Sequence, residues 1–293
     1  MNKLLRRILK KNPFTLKLAY SVLNVWHFIQ YLWINGKAKI SAALRRRNVI
    51  EFKAYSRIRS FKGVHNGERC FIVLTGPSLH MQDVERLKNE TCIGVNSILQ
   101  LLDRTNWRPT YYAFWGADKG FNKILEDMGE QFSAIFYCNT YRKNMSIRFD
   151  ENVYCFPWLN EARKINERFT LKESEYRFSD DIYVGIATGA SIAGVALQIA
   201  VYMGFKEIYL LGADCDFGGA VTHFEGGDYY KKISEEGVKI ASESVLIGYR
   251  AAKKYADEHD IKICNATRGG KLEVFERVDL DEILKQTSAE VDT

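Results

Sequence analysis

The 293-residue chain has six cysteines, Cys70, Cys92, Cys138, Cys155, Cys215 and Cys264, and no C-x-x-C pair among them. Most lie in or beside apolar runs, so buried free thiols in a reducing cytoplasm are expected rather than a disulfide framework. The start of the sequence lacks a short apolar core followed by a small-residue cleavage site, so no secretory signal is read there. No G-x-x-x-x-G-K-[ST] occurs, and ATP, if bound at all, must be held by something other than a P-loop. Acid is scarce at one end. Residues 1–62 carry fifteen Lys or Arg and a single acid, Glu51, a local charge of +14 inside an overall +6. The remaining residues sum to −8, and such a split marks two parts with different partners. No nucleic-acid-binding motif accompanies the basic residues, so nucleic acid is not expected as the partner.

The basic part also contains an aromatic-rich run. Residues 18–34 lack Lys, Arg, Asp and Glu, yet Ser21, Asn24, His27 and Gln30 interrupt the run at intervals of three. On a helix these drift along one side, while Leu18, Val22, Val25, Trp26, Ile29, Leu32 and Trp33 fall largely on the other. A spanning helix wants about twenty mostly apolar residues, and this one is too short and too polar. The pattern predicts an amphipathic arm lying in the headgroup layer. Tyr20, Trp26, Tyr31 and Trp33 would sit at the interface, with Lys10, Lys11, Lys37, Lys39 and Arg45 to Arg47 facing anionic lipid. The alternatives are a helix packed on the rest of the chain, or one that pairs two copies in a homo-oligomer.

Beyond residue 62 the pattern changes. Short apolar runs at 70–74, 92–95, 111–115, 134–137, 153–156, 208–211 and 261–264 read as strands, with helical stretches at 81–87, 97–102, 191–203 and 234–258. Strands alternating with helices predict a Rossmann-like α/β fold, a mostly parallel sheet with helices on both faces. Residues 63–275 form this body in the sequence reading. Residues 276–293 are read as a short helix followed by a flexible acidic tail.

In such sheets ligands bind beyond the carboxyl ends of the strands, so the residues after each strand carry the interest. The first strand runs into Thr75-Gly76-Pro77-Ser78, a tight turn with a capping serine suited to phosphate. Asn96 follows the second strand and Asp118 the third, and Thr188-Gly189 precede the helix at 191–203. Arg268, in N-A-T-R-G-G-K, would suit a phosphate or carboxylate bidentately. The strand at 208–211 delivers Asp214-Cys215-Asp216. If the chain stays extended there, both carboxylates point the same way and could hold Mg²⁺ or Mn²⁺. The alternative is a buried Asp214 bonded to loop N–H groups, organising the site without metal. His223, in a loop flanked by two glycine pairs, can accept a proton from a hydroxyl near neutral pH.

The segments T-G-P-S-L, G-V-N-S, A-T-G-A-S through G-A-D-C-D-F, T-H-F and N-A-T-R-G-G, in this order, resemble one family. It contains the archaeal 6-hydroxymethyl-dihydropterin pyrophosphokinases (MptE-like) and the motility-associated (Maf) proteins that glycosylate flagellin. The layout also resembles bacterial sialyltransferases with a single GT-A-like domain. The likeness runs from about residue 68 to 272 and leaves the basic arm outside. It implies nucleotide binding by residues 75–78, Asn96 and Thr188-Gly189, and catalysis at His223 and Asp214; Arg268 is read from its own chemistry as the group that offsets charge on a leaving phosphate. Two departures stand out: Leu74 occupies the usual first glycine of the turn, and Asp216 and Thr222 stand where such sialyltransferases use tyrosines. The expected activity is transfer of a sugar from a nucleotide-activated, CMP-type donor to a glycan or lipid-linked acceptor at the inner face of the membrane. A Mg-dependent diphosphotransfer from ATP to a pterin-like alcohol is the second expectation. A non-catalytic nucleotide-binding tether is the third.

Overall fold

The computed structural model describes residues 13–50, 53–115, 129–138, 152–159, 178–187, 191–216 and 235–291. A 34-residue helix, α1 (Pro13–Arg46), comes first, followed by a single turn, α2 (Lys53–Ser56), and a short 3₁₀ segment, Arg57–Phe61. The body then alternates β1 (Arg69–Val73), α3 (Met81–Glu85), β2 (Cys92–Val95), β3 (Tyr111–Phe114), β4 (Ala134–Cys138) and β5 (Val153–Phe156). After these come α4 (Ile192–Met203), β6 (Glu207–Leu211), α5 (Glu235–Glu258), β7 (Lys262–Asn265), β8 (Glu276–Arg277) and α6 (Leu280–Val291).

All eight strands are parallel, in the order β5-β4-β3-β2-β1-β6-β7-β8. The chain builds outward from β1 to one edge and then returns to pair β6 on the other side of β1. The β1/β6 seam is therefore the topological switch point, where a crevice opens above the carboxyl ends.

The apolar strands fill two cores by strict alternation. Cys70 and Ile72 of β1 join a core beneath α4 and α5, where Val195, Ile199, Val245 and Tyr249 are buried. Phe71 and Val73 point the other way, into a core with Val84 of α3, Leu99, and Leu280 and Ile283 of α6. Both faces being covered explains why the strands read as unbroken apolar runs. Each fully buried Leu, Ile, Val or Phe contributes about 1.5–3 kcal/mol of transfer free energy.

Three differences from the sequence reading have local causes. The helical stretch expected at 97–102 is a 3₁₀ segment, Asn96–Leu101, that opens at Asn96 with φ of 42°. The sheet continues past residue 275, because β8 pairs with β7 through Cys264 to Glu276 and Asn265 to Arg277. The short helix read in 276–293 corresponds to α6, held by burial of Leu280 and Ile283. The arm, too, is not wholly outside the body: Ala42 and Ile58 are fully buried in the first core. No helix among the described residues is long and apolar enough to cross a membrane.

Candidate functional site

At the switch point the loops after β1, β6 and β7 close on Asp214. Its carboxylate accepts from the Ser78 hydroxyl at 2.8 Å and from the Ser78 amide at 3.3 and 3.4 Å. The side chain lies in the notch left by Gly76, where a Cβ would stand 1.9 Å from Asp214 Oδ2 and 2.4 Å from the Gly212 carbonyl oxygen. Gly76 N–H donates to that same carbonyl at 2.9 Å. From the other side, Lys271 N–H donates to the Asp214 carbonyl at 2.6 Å. Gly270 makes this approach possible: it has φ of 78°, and a Cβ there would meet Asp214 Cα at 2.4 Å.

The D-x-D does not run extended. Cys215 adopts φ of 52°, so the side chains of Asp214 and Asp216 do not share one direction. Asp214 turns into the Gly76–Ser78 notch, and Asp216 pairs with Lys271 Nζ at 3.0 Å. As they stand, the two carboxylates do not form a chelating pair for Mg²⁺ or Mn²⁺. Burial pushes the Cys215 thiol up to about 12; a hydrogen bond from Tyr249 works against this and Asp214 adds to it. Burial thus favours the protonated thiol at Cys215. Tyr249, on α5, is buried and interacts with both Cys215 and Ser191, so its own phenol is raised well above 10 by burial.

The other rim residues have partners of their own. The Asn96 side-chain oxygen accepts from Trp115 N–H at 3.1 Å, and its backbone carbonyl accepts from Tyr112 O–H at 2.7 Å. That ties the ends of β2 and β3 together. Thr75 is half-buried and Pro77 exposed on the β1 turn. Arg268, expected to be open to an anion, is held bidentately by Asp83 of α3, through Nε at 2.6 Å and Nη2 at 2.7 Å. Hydrogen bonding to Asp83 raises the Arg268 pKa further above its ordinary value. Since the Asp83 side chain is 7% exposed, the pair locks the β7 loop to α3. His223, Asp118, Thr188 and Gly189 lie outside the described residues.

Around this rim the loops are braced by buried polar groups. The α4 helix is capped by Ser191, whose hydroxyl oxygen accepts from Ala193 N–H at 3.1 Å. Gln198, fully buried on α4, accepts from Ser179 N–H at 3.1 Å and Ala187 N–H at 3.0 Å and donates to the Ala187 and Gly194 carbonyls. This fixes the chain just before the expected Thr188-Gly189 loop. Thr267 Oγ1 accepts from Ala213 N–H at 2.9 Å, and Asn265 holds both Thr267 and Leu272.

Sequence reasoning passed over Lys271 and Asp83. Lys271 was within the quoted N-A-T-R-G-G-K, directly after the glycine pair, and its position one residue beyond a forced close approach was a usable signal. Asp83, five residues beyond Ser78, gave none. A separate groove of about 750 Å³, between the last turns of α5 and the β7–β8 connection, meets the rim only through Lys271.

Among curated proteins the chain has no match. Among solved structures it resembles the Maf glycosyltransferase of Magnetospirillum magneticum AMB-1, with TM-score 0.45 and 16% identity. That alignment covers 81% of this chain and 41% of the other, so this chain spans less than half the length of that protein. Residues 46–219 match the family described as 6-hydroxymethylpterin diphosphokinase MptE-like. With more than half its length in that match, the chain belongs to the MptE-like family.

Proposed function

We propose that the protein is a transferase that takes a sugar from a nucleotide-activated, CMP-type donor and passes it to a glycan or lipid-linked acceptor at the inner face of the membrane. The reading is carried by one observation: the loops after β1, β6 and β7 meet at the switch point, around Asp214, where α/β sheets hold their ligands. Asp214 serves as the internal anchor of the site, not as a metal ligand. The nucleotide lies across Thr75, Gly76, Pro77 and the Asn96 amide, with Asp118 and Thr188-Gly189 completing its cradle. Lys271, whose side chain is 71% exposed at the rim, offsets charge growing on the departing phosphate, the role first given to Arg268. His223 accepts the proton of the acceptor hydroxyl as its oxygen bonds to the anomeric carbon and the nucleotide phosphate leaves with the bonding electrons.

The family description supports a second reading, diphosphotransfer from ATP to a pterin-like alcohol. That chemistry calls for Mg²⁺ held at the phosphates, and Asp216 would have to leave Lys271 to join Asp214 in binding it. Thermal melting with CMP, UDP, GDP and ATP, each with and without Mg²⁺, separates the readings. A saturating ligand at 100 times its Kd adds about 2.7 kcal/mol to the folded state. A rise with CMP alone is expected. A rise confined to ATP with Mg²⁺ replaces the first reading by the second, and no rise with any nucleotide removes both.

A further inference from the structure

Helix α1 is about 50 Å long at 1.5 Å per residue, and its last turns are tied to the body. There Ala42 is fully buried, and Arg45 donates to Ser41 Oγ at 2.8 Å and to the Tyr183 carbonyl at 2.7 Å. Arg46 forms an ion pair with Asp181. Earlier in the helix several apolar side chains face solvent: Leu18 is 58% exposed, Val25 60%, Trp26 57% and Trp33 65%. At about 100° per residue, Leu18, Val25 and Ile29 fall within about 40° of one another. Trp26 and Trp33 then lie about 60–80° to one side and Leu32, 53% exposed, about 40° to the other, an exposed arc of about 120°.

Two features favour a lipid surface over a second copy of the chain. A coiled-coil seam uses a narrow stripe of two positions per heptad flanked by charges of both signs. This arc is broader, is edged by indoles, and belongs to a helix with no Asp or Glu from Pro13 to Arg46. Two copies would bring together arms of +14 each, with no acid on either helix to pair with the other's cations. By contrast, Lys37 sits with its ammonium 5.2 Å from the Trp33 ring centre, at the margin of the arc. A basic group beside an interfacial indole suits the phosphate level of a bilayer, with the apolar arc turned toward the acyl chains.

We propose that α1 docks the protein on an anionic bilayer, lying along the headgroup layer without crossing it. The inference stands on the exposed arc and its charge, and it is independent of the reaction at the switch point.

The test is co-sedimentation of the full chain with vesicles of phosphatidylcholine alone or with about 30% phosphatidylglycerol, alongside tryptophan fluorescence. Binding to the anionic vesicles with a blue-shifted emission is expected, together with at least a tenfold weaker association with phosphatidylcholine. High salt should reduce binding, because the Debye length shrinks to about 3 Å at 1 M. The Trp26→Ala/Trp33→Ala variant, altered only at exposed positions, should keep its melting temperature and bind at least tenfold less. No binding to anionic vesicles, or undiminished binding by the variant, overturns the proposal. So does a stable dimer that Val25→Asp dissociates while vesicle binding is absent.

Discussion

Gly76 cannot carry a side chain while Asp214 keeps its place. A methyl group there would fall 1.9 Å from the carboxylate, and the obstacle on its other side is backbone, the Gly212 carbonyl at 2.4 Å. One of the two loops must then move, at a typical overpacking cost of about 1–3 kcal/mol. Gly76→Ala should therefore lower the melting temperature and weaken nucleotide binding at least tenfold, read from the same ligand-dependent melts. Retained affinity in a destabilised variant would separate the notch from the ligand site. Residue 214 is constrained as tightly from the β7 side, where Gly270 brings the Lys271 amide to its carbonyl.

At the scale of elements, the Asp83–Arg268 pair joins α3 to the β7 loop, and Arg86 extends the link to Asp281 on α6. Removing one partner of a fully buried pair costs about 3–5 kcal/mol. Arg268 is 40% exposed, so solvent screening reduces the figure, and about 1–3 kcal/mol is expected for Arg268→Ala. Chemical denaturation should show this loss. A double-mutant cycle with Asp83→Ala should show coupling of the same sign, because each single change strands the other group. If Arg268→Ala instead leaves stability intact and only weakens ligand binding, the guanidinium serves the ligand after all. The four amide contacts of Gln198 act on the same scale, fixing the chain before α4 from inside the helix.

Across the whole molecule, burial favours the neutral form of four described thiols, Cys70, Cys92, Cys215 and Cys264. Cys70 and Cys92 are raised well above their ordinary value of 9.0 by desolvation, Cys215 to about 12, and Cys264 more modestly. For groups raised on folding, stability is fully present below the unfolded value and is lost as pH rises. Above pH 9 the unfolded thiols ionise while the folded ones do not, so stability should fall from pH 9 toward pH 12. At pH 8 the shift also implies alkylation of Cys215 at least about 100-fold slower in the native protein than in denaturant. Peptide mapping after timed iodoacetamide exposure checks this, and equal rates in the two states would refute it.

The body was legible because its signals are local. Apolar runs of four or five residues bounded by polar turns mark strands, and Ser191 capping α4 is visible in A-T-G-A-S. The rim was legible as a set of positions but not as a set of partners. Arg268 and Asp83 are 185 positions apart in sequence, and no spacing rule joins them. The left-handed turn at Cys215 was hidden for a related reason: D-C-D carries no glycine to announce it, and tertiary contacts impose it.

By itself the sequence determined a parallel sheet buried on both faces, since strands without polar alternation can satisfy their apolar side chains no other way. It determined equally that residues 1–62 are cationic. Only the tertiary structure decided that Asp214 faces Ser78, that Asp216 faces Lys271 and that Arg268 faces Asp83. It alone left the apolar arc of α1 uncovered. A charged group takes the partner that packing brings within hydrogen-bond reach, and packing is a property of the assembled chain.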